Sequence, residues 1–233
     1  MSAITVDAVL FDMDGTLIDS TPGVMVAWNN FASIYGFDAA VVARKSHGRR
    51  LEDTLKEFCK IEDEDKLSSE IARFEEEVIR GGPVALPGAI ALIKQIEECR
   101  PTTAVSPGWT IVTSATNFYT PLALSRSGVP VPPAGFVCSN DVSRGKPHPD
   151  PYLAGAKKVG VSPNKCFVIE DAPSGIRSGH AAGAKTIAVC TSHSRQEIIE
   201  SGSNPDYIVK DLTRLTARWM NGKLEITIDE TVD

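Results

Sequence analysis

Ala8-Val-Leu-Phe-Asp-Met-Asp-Gly-Thr-Leu-Ile-Asp-Ser20 begins as an apolar run and ends by delivering carboxylates. Val9, Leu10 and Phe11 form the short, unalternating run expected of a parallel strand covered on both faces. Gly15-Thr16 supplies the turn that stops it. Residues two apart in an extended segment point the same way, so Asp12 and Asp14 are expected to face one common site. Alone, the pattern has a second reading, a turn in which an Asp bonds its own backbone. The rest of the chain decides between them.

Downstream of this stretch the periodicity is helical. Thr21-Pro22 reads as an N-cap with proline at the first helical position, followed by Met25, Trp28, Phe31 and Tyr35 at helical spacing until Gly36. A second short helix is expected from Asp38 to about Arg44, then a polar loop, Ser46-His47-Gly48-Arg49-Arg50. Leu51, Leu55, Phe58 and Cys59 resume a helical face. Leu67, Ile71, Phe74 and Val78 make another, whose strongly acidic outer side reads as a solvated face. Gly81-Gly82-Pro83 and Pro87-Gly88 bracket a linker, so residues 19–85 read as a helical insertion hinged at both ends, with residues 1–18 and 86–233 as the surrounding core.

Beyond Gly88 helices alternate with short β-branched strands. Helices are expected over 89–98, 118–127, 151–159, 173–182 and 195–201, and strands over 109–113, 135–138, 165–169, 186–190 and 206–209. The alternation predicts an α/β fold with a parallel sheet and helices on both faces. The tail, Leu224-Glu-Ile-Thr-Ile-Asp229, alternates and reads as an edge strand.

Composition narrows the function classes. The chain has 233 residues, 42% apolar and 23% charged, the profile of a globular protein with a sizeable core. No apolar run approaches the ~18 residues of a membrane span, and the N-terminus lacks the pattern of a secretory signal, so a cytoplasmic setting is expected. The five cysteines show no C-x-x-C pair and read as reduced, mostly buried residues. A net charge of −6 argues against nucleic acid, whose phosphates call for clustered Lys and Arg. A small phosphorylated substrate needs only a few local cations.

In an open α/β sheet, ligands gather beyond the carboxyl ends of the strands. The first strand brings Asp12 and Asp14 there, the second ends in Thr113-Ser114-Ala115, and the fourth ends in Glu170-Asp171. Gly145-Lys146-Pro147-His148-Pro149 precedes a helix. Four converging carboxylates repel, by roughly 4 kcal/mol for a pair 4 Å apart at an effective dielectric of 20, so they require a cation. Oxygen donors without a His or Cys set favour Mg²⁺. Lys146 adds a second positive charge, and Ser114, with backbone N–H groups at a helix start such as that of Ala115, suits phosphoryl oxygens. Asn117 is a further candidate for this pocket, or a helix cap.

These residues carry a resemblance. Asp12-Met-Asp-Gly-Thr-Leu-Ile-Asp-Ser20, Ser114, Lys146-Pro147 and Glu170-Asp171 resemble the four motifs of the haloacid dehalogenase superfamily, spanning nearly the whole core, and the insertion resembles its C1-type cap. Ser46-His47-Gly48 with Arg50, and Asn140-Asp141-Val142 running into Gly145-Lys146-Pro147-His148-Pro149, look most like the fungal glycerol-3-phosphate and 2-deoxyglucose-6-phosphate phosphatases. The resemblance implies a Rossmann-like core and an aspartyl-phosphate formed on Asp12. It implies Asp14 as the general acid/base and as a backbone ligand of Mg²⁺, Asp171 as a side-chain ligand, and Glu170 as a ligand or its support. Ser114 and Lys146 would hold the phosphoryl oxygens. An acid two residues after the nucleophile points to phosphoryl transfer rather than dehalogenation.

His47, Arg49 and Arg50 occupy the polar break between cap helices and are expected over the site, His47 bonding a hydroxylated leaving group and Arg49 or Arg50 reading that group or answering a second phosphate. The bland alternative is a solvated loop. The partner expected is a small phosphorylated metabolite, with no nucleic acid and no membrane, and the chain a monomer or weak homodimer. A β-phosphoglucomutase-like enzyme, which must grip two phosphates, is the alternative; a non-catalytic scaffold would have lost the nucleophile or metal carboxylates, and none is lost.

Overall fold

The computed structural model describes residues 1–231. In chain order the elements are β1 (Ser2–Val6), β2 (Ala8–Phe11), β3 (Ile18–Asp19), α1 (Thr21–Tyr35), α2 (Ala39–Ser46), α3 (Leu51–Cys59), α4 (Glu64–Arg80), β4 (Val84–Ala85), α5 (Ala89–Glu97), β5 (Trp109–Ile111), α6 (Tyr119–Ser127), α7 (Asp150–Lys158), β6 (Cys166–Glu170), α8 (Pro173–Ala181), β7 (Lys185–Val189), α9 (Arg195–Glu200), β8 (Tyr207–Val209), β9 (Leu215–Met220) and β10 (Lys223–Ile228).

The central sheet is parallel, in the order β5-β2-β6-β7-β8. β2 lies inside it and all four of its residues are fully buried, as its unbroken apolar run predicts. Phe11 packs edge-on against Trp109 of β5 at 6.2 Å.

The helices α1–α4 are flanked by one short antiparallel pair, in which Ile18 faces Ala85 and Asp19 faces Val84. Between these strands α1 and α4 pack on each other through Trp28, Phe31 and Phe74, with ring centroids 4.6 Å apart for Trp28–Phe74 and 5.4 Å for Phe31–Phe74. Asp63 caps α4 by accepting the Lys66 N–H at 2.7 Å. Ser20, one residue earlier than the expected cap, occupies the N-cap of α1 without a side-chain capping bond, because its hydroxyl is used elsewhere.

Two expectations are corrected. The segment 135–138 is not a strand; it makes a single bridge, Val137 to Val112. Gly135 turns at φ 74°, and the Cys138 N–H is taken by the Asp141 carboxylate, so both ends of the segment are diverted from the ladder. The tail does form a strand, β10, but joins a separate antiparallel sheet, β1-β10-β9, not the edge of the parallel one. Trp219 fixes this sheet to α5 by donating its indole N–H to Ile96 O at 2.8 Å. All five cysteines are free; Cys59, Cys138 and Cys166 are buried and Cys99 is exposed. Among the described residues no helix is long and apolar enough to cross a membrane.

Candidate active site

The parallel ladder delivers the acidic centre. β2 ends at Phe11, and the next backbone N–H, that of Asp12, still bonds Ile169 O of β6 at 2.9 Å, which sets Asp12 beside the end of β6. Glu170 is the last residue of β6 and Asp171 follows it. Asp12, Glu170 and Asp171 are all buried, and one oxygen from each lies within 4.8 Å of the others. Lys146 reaches into this trio from the loop before α7, donating to Asp12 at 2.6 Å, Glu170 at 2.7 Å and Val112 O at 3.0 Å.

Burial and the neighbouring Glu170 charge push the Asp12 carboxyl well above its ordinary range, against the pull of Lys146. For Lys146 burial favours the neutral amine, but Asp12 and Glu170 prevail and raise it further. Glu170 is fully engaged: Oε1 accepts Lys146 and Tyr152 Oη, and Oε2 accepts the N–H groups of Asp171 and Ala172. Its place is behind the centre, bracing Lys146, rather than beside an incoming cation.

The donor set fits a hard divalent cation. The donors nearest an incoming cation, Asp12 and Asp171, are carboxylates, and with Glu170 they exceed the charge of Lys146. Gly15 keeps the approach open: a Cβ there would lie 1.9 Å from Asp171 Oδ2, and its φ of 88° is one that side chains avoid.

Asp14 lines the same chamber as Asp12 but stands outside the trio. The strand ends before it, so strict alternation no longer governs its direction. Ser20 Oγ and Tyr119 Oη both donate to Asp14 Oδ1 at 2.7 Å. Burial raises its pKa, opposed by those two hydroxyls.

Above the trio, the loop between α2 and α3 closes on the core. Ser114 Oγ donates to Gly48 O at 2.9 Å, and Ser174 Oγ to His47 O at 3.3 Å. His47 Nε2 lies 2.6 Å from Asp171 Oδ2. Burial disfavours a charged imidazole, yet Asp171 prevails and lifts His47 to about 9. These contacts enclose a chamber of about 500 Å³, with Asp12, Asp14 and Ser114 at the floor and Trp28, Phe74 and Val78 on the wall.

The sequence candidates divide accordingly. Asp12, Asp14, His47, Arg49, Ser114 and Ala115 line the chamber, with Lys146, Glu170 and Asp171 directly beneath. The Ser114 hydroxyl is directed at the cap loop, and the Ala115 N–H bonds Thr113 Oγ1 at 3.0 Å. Asn117 is not a pocket residue: it is exposed, and its N–H donates to Asn140 Oδ1 at 2.9 Å. Arg50 does not face the leaving group either. Its guanidinium donates to Val142 O and, at 3.2 Å, to Ser143 O, and its stem lies over Gly145, where a Cβ would meet Arg50 Cγ at 2.7 Å. Arg49 is at the chamber wall but pairs with Glu57 at 2.7 Å.

Sequence reasoning missed Tyr119, His193 and Glu75. Glu75 corrects the reading of the acidic side of α4 as wholly solvated, because it is 4% exposed. Its signal was present: Ile71, Glu75 and Val78 keep i, i+4, i+7 spacing, the same stripe as Phe74.

The haloacid dehalogenase-like hydrolase profile matches residues 9–189. The chain is 42% identical over 185 residues to hexitol phosphatase A of Escherichia coli K12, covering 77% of this chain and 81% of that protein. It is 35% identical over 222 residues to glycerol-1-phosphate phosphohydrolase 2 of Saccharomyces cerevisiae, covering 90% and 84%. Among solved structures it is similar to a putative beta-phosphoglucomutase from Bacteroides vulgatus, at 28% identity and a TM-score of 0.73 over 90% of this chain and 85% of that one.

Proposed function

The chain belongs to the haloacid dehalogenase-like hydrolases, and from that premise we propose that it hydrolyses a small polyol or sugar monophosphate through an aspartyl-phosphate on Asp12. It is a phosphoric monoester hydrolase, as are the hexitol and glycerol phosphatases to which it is similar. One observation carries the finer reading: two carboxylates two residues apart are given opposite settings. Asp12 is held by Lys146 within the acidic trio, and Asp14 is held outside it by two hydroxyl donors.

In this reading an Asp12 oxygen attacks phosphorus and the bond to the leaving oxygen breaks. Asp14, raised by burial, carries the proton that the departing alkoxide needs. Water then attacks the aspartyl-phosphate; Asp14 takes its proton, phosphate leaves and Asp12 is regenerated. Lys146 stays charged throughout and balances the phosphoryl oxygens. Mg²⁺ would be held by Asp12 and Asp171 with the Asp14 carbonyl, and when bound supplies the positive charge that keeps Asp12 ionised and offsets that of the phosphoryl group. The insertion, residues 19–85, acts as a lid whose closure excludes water from the chamber.

Hydrolysis is favoured over phosphomutase chemistry by the state of the cap cations. A second phosphate would have to be gripped, yet Arg50 is committed to core carbonyls and Arg49 to Glu57.

The test is phosphate release from hexitol, glycerol and hexose phosphates, 2-phosphoglycolate and nucleotides, with Mg²⁺ and with a chelator. Mg²⁺-dependent release, fastest from a polyol or sugar monophosphate, is expected. Release that survives chelation, or turnover seen only with an added bisphosphate, overturns the proposal.

A further inference from the structure

Glu75 takes no part in the chemistry above, yet it is the one acidic side chain of α4 turned into the chamber. Its two oxygens are divided between two donors of one core residue. Thr116 N–H reaches Oε1 at 3.1 Å, and Thr116 Oγ1 donates to Oε2 at 2.5 Å. A carboxylate oxygen accepts about two hydrogen bonds, so each retains an acceptor direction beside Trp28, Phe74 and Val78. The charge that acts on Glu75 is that of Asp14, of the same sign.

The cations around the chamber are engaged elsewhere. Arg49 bonds Glu57, and Arg44, whose side chain is 80% exposed, lies at the mouth 4.0 Å from Glu197. The wall thus offers a leaving group an anchored carboxylate, aromatic and aliphatic surface, and paired cations. Hydroxyl groups suit such a wall, since they donate to the carboxylate while their carbons lie on the apolar face. A second phosphate or a carboxylate meets like charge in a place of low dielectric.

We propose that Glu75 determines specificity, accepting the hydroxyls of an uncharged polyol leaving group and rejecting a leaving group that carries a second anion. The proposal rests on the reading of this chamber as the leaving-group compartment. It differs from a purely structural role, in which Glu75 only ties α4 to Thr116, because a tie would affect all substrates alike.

The experiment compares, at pH 8 where Glu75 is ionised, kcat/KM of wild type and Glu75→Gln on a hexitol monophosphate, a hexose bisphosphate and p-nitrophenyl phosphate. Wild type should prefer the hexitol phosphate over the bisphosphate by roughly a hundredfold, and Glu75→Gln should narrow that ratio about tenfold, mostly through KM. Turnover of p-nitrophenyl phosphate, which has no hydroxyls to present, should change less than about threefold. An unchanged ratio, or a parallel fall on all three substrates, overturns the role of Glu75. Absence of phosphate release by wild type from any substrate instead sinks the hydrolase reading on which the proposal stands. If Glu75→Gln does not fold, Thr116→Val, which removes the hydroxyl half of the carboxylate's anchor and leaves the backbone N–H bond, decides: a shifted ratio supports the proposal and a preserved one overturns it.

Discussion

The acidic centre and the chamber above it are built in opposite ways. Asp12, Glu170 and Asp171 leave the ends of two hydrogen-bonded neighbours, β2 and β6, so backbone pairing alone brings them together. The chamber is made of side chains from six helices and the loops between them, and several of these are placed by contacts with distant parts of the chain. Glu75 depends on Thr116, the loop at Gly48 on Ser114, and Asp14 on Tyr119. The nucleophile and its acidic neighbours thus rest on the ladder, while Asp14 and the chamber wall rest on packing, which allows the wall to vary without disturbing the acidic trio.

The strongest challenge to this division is Asp12→Asn. It should lower kcat by on the order of 10⁴ or more, as removal of a nucleophile does, on every substrate. The fold should persist, because Lys146 keeps Glu170 and Val112 O as partners and a carboxylate disfavoured by burial is removed. Phosphate release and a thermal melt check both halves. Residual activity within tenfold of wild type would mean that the ladder does not carry the chemistry.

The same division explains what was legible in the sequence. Strand-end motifs could be read because a short apolar run and a turn fix where Asp12, Ser114 and Glu170-Asp171 emerge. The helices between β3 and β4 were legible from periodicity, and glycine and proline marked the segment that follows them. Side-chain direction in the cap was not. Arg50 follows two candidate residues in a polar loop, yet its stem lies on Gly145, ninety-odd positions away in the chain. Tyr119 reaches Asp14 across a separation of 105 residues with no local pattern to announce it. Glu75 is the intermediate case: its stripe position could be counted, but a lone carboxylate on an acidic helix ordinarily faces water, and only packing against α6's approach segment reveals its partner, Thr116. The false strand at 135–138 had the right composition, and its ends were diverted by Gly135 and Asp141.

Next in size is a pH effect on stability from the chamber side. Burial, offset by the Thr116 hydrogen bonds and reinforced by Asp14, lifts Glu75 from an ordinary 4.5 to about 7. Between those values the folded protein binds more protons at this site than the unfolded chain, so stability falls as pH rises. The full effect is worth roughly 3 kcal/mol. Glu75→Gln removes it, so the stability of the variant relative to wild type should improve steadily from pH 4.5 to 8 in urea melts. A difference independent of pH would show that Glu75 is ionised in the fold as freely as in the unfolded chain.

Arg50→Ala should follow, at about 2 kcal/mol, because two loop carbonyls lose a charged donor. Since Arg50 is 8% exposed and does not line the chamber, turnover of all substrates should fall together with their ranking unchanged. A reordered ranking would bring Arg50 back among the groups that read the leaving group.

Arg49→Ala should be the mildest change, and for that reason it separates the two reactions most cleanly. The Arg49 side chain is 30% exposed and its partner Glu57 48% exposed, and such pairs contribute about 0–1 kcal/mol. Loss of the pair should therefore leave the melt within about 1 kcal/mol of wild type, and turnover of a polyol monophosphate within about threefold. A mutase would answer differently. To hold a second phosphate Arg49 would have to release Glu57 and turn inward, so its removal would depress bisphosphate-dependent turnover far more than monophosphate hydrolysis. Parallel kinetics on the two substrate classes keep Arg49 at the rim; a selective collapse with the bisphosphate would move it into the site and give the chamber a cation that its present pairing withholds.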